Sequence, residues 1–588
     1  AIAADLDFLS AELPDLPARH RSLRAVFEQS WQALTPQEQS CFSRLSVFND
    51  PFSSEAAEAV AGAPPGILWR LSRLHLLNRH NDFERYTIHE LLRSFAASRL
   101  AESLPDAAVL HRRHAEYFLT WVSRQEAILA GIQPMRSAET ILASLDDVRA
   151  AWLWASAAQA VELLRRAQPV WGAFYALRGM HSEGERLYTA TLAQLGAEAE
   201  GLRGQLLARL GSFLERQGRL EAARTRLHEG LAIAQQRQDY QTLGFVCHTL
   251  ARVEAVAGTV DTAIQFLKMG LASLPAGEYL TVRAELLIYL GTLEAQRGNR
   301  TATATAYAEV QRIVARTGNK VQEQRLLLWQ GVDTIDDNYV ATLFYLERAL
   351  ALCPDTGDRT LESRILNALG YVQARMGNYE AAIHNHLRGL TICAADQDAI
   401  QQSHALHNLC VDYYGLSQYE KAYAYGREAL AIAERNDLLD GIAYAQLHLG
   451  RVLVQMRLYQ DAERALLAAR DAFTQLGRKS LTIEAEAGLA RVAQLLGNLP
   501  VAIEHTQRVL TFLETNTLAG SDETASIYLH CHQVLAACGD GRAEKLLHDA
   551  RAYLQNLAAP LDPDARARYL TAVAANRAIM ELWQAQGA

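Results

Sequence analysis

A period of about forty residues runs through most of this 588-residue chain and limits its fold more than any other feature. Small residues recur at Gly172, Gly211, Ala251, Gly291, Gly331, Gly370, Cys410, Gly450, Ala490 and, more loosely, His532, at intervals of 39, 40, 40, 40, 39, 40, 40, 40 and 42. Seven residues beyond an anchor stand Gly179, Gly218, Gly258, Gly298, Gly377, Gly497 and Gly539, where a first helix would end on a left-handed residue. Twelve beyond stand Ala223, Ala263, Ala382, Ala422, Ala462 and Ala502, small enough for a second helix to lie close to the first. Each unit therefore reads as a helix–turn–helix hairpin, most clearly in Gly377-Asn378-Tyr379-Glu380-Ala381-Ala382 and Gly497-Asn498-Leu499-Pro500-Val501-Ala502. The unit at Gly331 departs, with Asn338 and Leu343 in place of Gly and Ala, so a slip of register is expected there. A chain this long would otherwise imply about four globular domains, whereas an array in which each hairpin needs only its neighbours can span the length alone.

Composition agrees with an all-α chain. Gly (35) and Pro (14) are too few for a large β or α/β protein, and good helix formers dominate every stretch. The net charge of −9 has no like-charge block, which argues against a nucleic-acid-coating surface. Seven scattered cysteines without a CxxC pair fit a reducing compartment. With no apolar run of about 18 residues and no signal-like start, the expectation is a cytoplasmic protein with no membrane contact. The chain opens on Ala1-Ile2-Ala3-Ala4-Asp5 rather than on Met, which suggests a piece of something longer.

The small residues at the helix contact and the Gly-containing turn, as in Leu369-Gly370 with Ala382 and Leu449-Gly450 with Ala462, resemble the tetratricopeptide repeat over roughly residues 155–560. The period exceeds the ~34 residues of the common form, so both helices should be about a turn longer. The expected fold is an all-α, tetratricopeptide-like solenoid superhelix of about ten hairpins preceded by a small winged-helix domain. Its divisions are 1–103 for the winged helix and leading segment, 104–160 for a helical arm, 161–560 for the superhelix and 561–588 for a capping helix.

The winged-helix expectation comes from helical patterns at Ser22–Leu34, Pro36–Leu45, Ser53–Val60 and Ile67–Leu76. A β-like piece follows at Leu77–Ile88, with Asn78-Arg79-His80-Asn81-Asp82 as its hairpin tip. Leu16-Pro17-Ala18-Arg19-His20-Arg21-Ser22-Leu23-Arg24, Leu45-Ser46-Val47-Phe48 and Tyr86-Thr87-Ile88-His89-Glu90-Leu91-Leu92 resemble the winged-helix region of STAND signal-transduction ATPases, particularly bacterial transcriptional regulators with tetratricopeptide sensors. That resemblance implies a nucleotide-binding domain before the winged helix, with ATP or ADP as cofactor of the full-length protein and none in this chain. In a Met-His-Asp-like motif, represented here by Ile88-His89-Glu90, it implies that His89 senses the bound nucleotide; the bland alternative is a half-buried His capping the next helix. No GxxxxGK[ST] occurs, so the chain is not expected to hydrolyse ATP, and it reads as the C-terminal part of such a protein. The arm is expected in the amphipathic stretches His111–Leu119 and Leu145–Trp152, with the His111/His114 pair read as part of a solvated basic face rather than a metal site.

If the first helix of each hairpin lines the concave side, positions six and three before the anchor and one and four after it face a groove. They supply His248, Arg252, Glu285, Thr292, Arg325, Glu484 and Gln494, and the candidate ligand or peptide groove is drawn from Arg252, Arg364, Asn367, Tyr371, His404, His407, Tyr414, Tyr444, Arg451 and Arg491. Arg, Tyr, His and Asn combine flat apolar area with directional donors, which suits a peptide, an anion or a small polar molecule. The other view is that a solvent-facing groove is polar in any case. His384, His386, Cys393, His404, His407 and Cys410 crowd one stretch, but His384 and His386, two apart on a helix, diverge and Cys410 is a buried anchor, so no metal is expected. No catalytic constellation stands out.

These features fit the inducer-sensing, autoinhibitory region of a STAND-type regulator. Its partners would be a small-molecule or peptide/protein inducer and the upstream ATPase domain, with oligomerisation on activation. One rival is a constitutive protein-interaction scaffold. Another is a DNA-binding regulator, although the candidate recognition helix Ile67–Leu76 offers only Arg70 and Arg73, with Trp69 and Leu71 assigned to packing.

Overall fold

The computed structural model describes residues 23–80, 85–102, 104–125, 134–395 and 398–586. Most of Leu16–Arg24 and the connection 81–84 lie outside the described residues. The chain is all-α apart from one small sheet, and its contacts divide it into two compact units, Ala1–Val246 and Cys247–Ala588. Among the described residues no helix is long and apolar enough to cross a membrane.

The first unit begins with helices Leu23–Gln32, Pro36–Leu45 and Pro65–Arg73 and an antiparallel sheet of order β1-β3-β2, where β1 is Phe52–Ser53, β2 Asn78–His80 and β3 Arg85–Thr87. The expected order is helices followed by a hairpin; strand β1 instead falls between the helices and makes the sheet three-stranded, and two further corrections apply. Asn78–His80 form strand β2 rather than the hairpin tip, since they pair with Thr87, Tyr86 and Arg85. The segment Ser54–Ala61 changes from an α-turn to a π-turn and ends on left-handed Gly62, so it is not one regular helix. Thr35 and Glu38 form a reciprocal capping box that fixes the start of Pro36–Leu45.

In the same unit the helices Leu104–Ser123 and Leu145–Ala157 lead to two hairpins, Val161–Leu177 with His181–Gln194 and Glu200–Arg216 with Leu220–Arg237. His114 does not belong to a solvated face. It is 2% exposed, and its Nε2 lies 3.0 Å from Oδ1 of fully buried Asp147. Asp147 also accepts the backbone N–H groups of Asn49 (2.7 Å) and Asp50 (3.2 Å), while Asp50 accepts those of Asp146 (2.7 Å) and Asp147 (3.0 Å). This reciprocal cap locks the loop after Pro36–Leu45 to the arm.

The second unit is a run of hairpins. Their first helices start at Leu280, Lys320, Arg359, Ala399, Leu439, Lys479 and Thr524, and most are 17 residues long, in line with the long period. The turn glycines at Gly258, Gly298, Gly377, Gly497 and Gly539 all have positive φ, and where the repeat lacks glycine Ser417 (φ 58) and Arg457 (φ 61) take the same conformation. At Gly331 the register slips by one: Thr342, eleven residues on, is fully buried in the place taken elsewhere by the alanines.

Sixteen residues beyond an anchor, a second-helix side chain lies over the anchor itself: a Cβ on Gly450 would come 2.6 Å from Leu466, and one on Gly370 2.4 Å from His386. The array does not end in a free edge. After Arg542–Ala558, helices Pro563–Thr571 and Ala574–Gln586 return to earlier repeats, where the Tyr569 ring meets Tyr339 at 5.8 Å and the Arg568 carbonyl lies 3.2 Å from a Cβ built on Gly377. Leu327, Leu346, Leu369, Leu529, Leu554, Tyr569 and Ile579 share one core.

Candidate functional site

The fold-back walls a partly open cavity of about 240 Å³ within the second unit. That is room for one small metabolite. Its wall draws on the first helices anchored at Gly370, Cys410, Gly450 and Ala490, on Thr524–Ala537, on the C-terminal helices and on residues Asp522 and Glu523.

Of the expected groove residues, Tyr371, Tyr414, Arg451 and Arg491 line it. The others lie off this wall. His404, His407, Tyr444 and His448 stack together, with His407 at 5.1 Å from Tyr444 and 5.4 Å from each of the other two histidines; of these, His448 also reaches the cavity. Asn367 accepts a hydrogen bond from Asn408 Nδ2 (3.0 Å), Arg364 covers the Trp329 ring at 5.2 Å, and Arg252 is half-buried. Thr292 faces no groove: it is 2% exposed and donates to the Ile288 carbonyl of its own helix. Glu285 pairs with Arg325 at 3.3 Å. Glu484, only 3% exposed, accepts the backbone N–H groups of Asp522 (2.7 Å) and Glu523 (3.2 Å) and pairs with Arg451. It holds the segment after Leu499–Leu513 against the array.

That segment explains the long last interval. Its extra residues bring in Asp522, which accepts from the Tyr371 hydroxyl at 3.1 Å, and Glu523, which lies 3.3 Å from Arg451. Arg375 donates to the carbonyls of Ser521 (3.3 Å) and Asp522 (2.8 Å) and to the hydroxyls of Tyr371 (2.9 Å), Tyr339 (3.3 Å) and Tyr553 (3.2 Å). Sequence reasoning missed Arg375, five residues past its anchor, because it considered only four positions per helix.

It also missed a buried pair whose signal lay in the repeat itself. The position sixteen beyond the anchor holds buried Leu267 and Leu466, and the position two beyond the next anchor holds Leu293 and Val492. In the repeat anchored at Gly370 these two places are His386 (1% exposed) and Asp412 (0%), with Nδ1 2.6 Å from Oδ2. His386 Nε2 lies 3.2 Å from the Asn367 carbonyl, which can only accept, so Nε2 carries a proton. Asp412 Oδ1 is buried on the cavity wall and finds no hydrogen-bond partner within the protein. Burial raises the Asp412 carboxyl above its ordinary range, against the lowering effect of His386.

In the first unit, His89 caps the helix Glu90–Ala101, its Nδ1 accepting the Leu91 N–H at 3.3 Å; it is exposed rather than half-buried. Trp69 is not a packing residue but 55% exposed, with Arg73 over its ring at 5.0 Å, while Leu71 is fully buried as expected. Arg70 is paired with Glu38 at 2.6 Å. Among the described residues no three His, Cys, Asp or Glu side chains gather to hold a metal, and all seven cysteines are free.

No protein-family model and no curated protein matches the sequence. Among solved structures, the chain is similar to a STAND protein with a tetratricopeptide repeat sensor from Pyrococcus horikoshii, at 16% identity and a TM-score of 0.27, over 91% of this chain and 65% of that protein's length. It is also similar to a Rap protein complexed with competence and sporulation factor (14% identity, TM-score 0.40, 59% of this chain and 98% of that one). A third is aspartyl phosphate phosphatase F from Bacillus subtilis (14% identity, TM-score 0.35, 59% and 94%). Likeness at this level decides nothing about what the chain binds.

Proposed function

We propose that this chain is the sensing part of a signal-transduction switch and that the cavity of the second unit is where it takes up a small polar inducer. The observation that carries this reading is a fully buried carboxyl group, Asp412, which lines the cavity and whose Oδ1 has no hydrogen-bond partner within the protein. Leaving a buried acceptor unsatisfied costs about 1–3 kcal/mol, a cost that a bound donor removes. The wall combines neighbouring repeats with the returning C-terminal helices, so a ligand that touched both Asp412 and the returning residues Tyr569 and Asn576 would bind the folded-back arrangement better than an opened one. That differential affinity is what a sensor requires. In keeping with the STAND resemblance, the controlled element would be a nucleotide-binding domain absent from this chain, with His89 as its nucleotide sensor and oligomerisation as the output. The chain itself is proposed to be non-enzymatic and cytoplasmic.

The test is thermal melting of the chain with the small-molecule fraction of a bacterial extract. Stabilisation is expected for the natural sequence and not for Val411→Phe, which fills the cavity from its wall. Equal stabilisation of both, or of neither, contradicts the assignment.

A further inference from the structure

The cations of the cavity are not equally provided for. Arg375 has five acceptors from hydroxyls and carbonyls, and Arg451 has the carboxylates of Glu484 and Glu523. Arg491 lines the same cavity and donates to the amide oxygen of Gln494 at 2.7 Å, with no carboxylate paired to it among the described residues. Its charge is felt by His530, which burial, Arg491 and Arg451 push down to about 4.

Asp412 has the complementary need. Because His386 Nε2 must donate to the Asn367 carbonyl, the proton shared with Asp412 lies between His386 Nδ1 and Oδ2. Whichever of the two atoms holds it, Oδ1 remains an acceptor. The cavity thus offers an uncompensated guanidinium and an unfilled acceptor.

We propose that the ligand is a small hydroxy or amino acid: its anionic group is bound by Arg491, and one of its O–H or N–H groups by Asp412 Oδ1. This rests on reading the cavity as the ligand site. A neutral molecule would leave Arg491 without a counter-charge, and a purely anionic one would leave Asp412 Oδ1 unfilled and place like charges together.

The proposal is tested by melting the whole chain with D-glucuronate and L-glutamate, each against its uncharged counterpart, D-glucose and L-glutamine. At least one acid should raise the melting temperature, with the counterpart at least about tenfold weaker, the scale of one charge-assisted hydrogen bond. Arg491→Gln and Asp412→Val should abolish the shift, Arg491→Lys should retain part of it, and the exposed Arg464→Gln should leave it unchanged. Retention of a partial shift in Arg491→Lys separates lost anion binding from lost folding. A shift that survives Arg491→Gln or Asp412→Val overturns the proposal. Counterparts as effective as the acids overturn the acid class while leaving the cavity reading intact, provided Val411→Phe removes the effect. No shift with any of the four probes also overturns the acid class, and the extract experiment then decides the cavity reading separately.

Discussion

Each unit of the molecule has a fully buried histidine–aspartate pair, His114–Asp147 and His386–Asp412, and these two differ in how completely they are satisfied. In the first, Asp147 accepts from His114 and from the backbone of Asn49 and Asp50, so its carboxylate is a structural cap. In the second, Asp412 meets His386 through Oδ2 and leaves Oδ1 facing a cavity. The same two side-chain types at the same burial thus serve different ends. A saturated pair holds elements together, whereas an unsaturated one, at places where the repeat anchored at Gly450 has Leu466 and Val492, is a cost to folding that a ligand can offset.

The largest effect expected from this contrast is in the first unit. Asp147→Ala strands the His114 ring and two backbone N–H groups, and should destabilise that unit by about 3–5 kcal/mol. Urea unfolding followed by tryptophan fluorescence reads it, since Trp152 and Trp171 are fully buried there. Gly370→Ala comes next. Its Cβ would lie 2.4 Å from His386 Nε2 and must push the ring off Asp412, costing about 1–3 kcal/mol, and circular-dichroism melting should show it.

Asp333 stands at the place of Asp412 two repeats earlier and accepts from the Tyr307 hydroxyl, Tyr307 being the counterpart of His386. Burial raises its carboxyl from 3.8 to about 6, against the opposing hydrogen bond from Tyr307. A folded-state value above the unfolded one means that the folded chain keeps the proton longer. Stability should therefore be highest below about pH 4 as far as this group is concerned, fall by on the order of 2 kcal/mol as pH rises through 6, and level off above. Urea midpoints across that range should lose this slope in Asp333→Asn. The smallest effect is expected from Asp412→Asn, below about 1 kcal/mol, because an amide can donate to His386 Nδ1 and still present its oxygen to the cavity.

Much of this architecture was readable before the structure. The anchors and turn glycines follow from backbone geometry that repeats unit by unit, so Gly377 and Gly497 mark their turns as expected. Tyr371, Tyr414, Arg451 and Arg491 reach the cavity because helical spacing fixes which face each presents. His386 and Asp412 were legible in principle, as a histidine and an aspartate in two columns where Leu and Val are the commonest residues. What was not legible depends on contacts between distant segments. Asp522 and Glu523 lie in an insertion with no period to place them, and the return of Pro563–Gln586 onto Tyr339 and Gly377 is decided by surface fit. Strand β1 has two residues, too short for any alternation to announce it.

The central claim is that the His386–Asp412 pair is kept for a ligand rather than for the fold. It is tested most directly by the double substitution His386→Leu/Asp412→Val, which places there the residue types of Leu466 and Val492 in the repeat anchored at Gly450, with unfolding measured with and without the acid that stabilises the natural sequence. The account predicts stability unchanged or raised by about 1–4 kcal/mol and no further gain from the acid. A loss as large as that of Asp147→Ala, or a gain from the acid that persists, would contradict it.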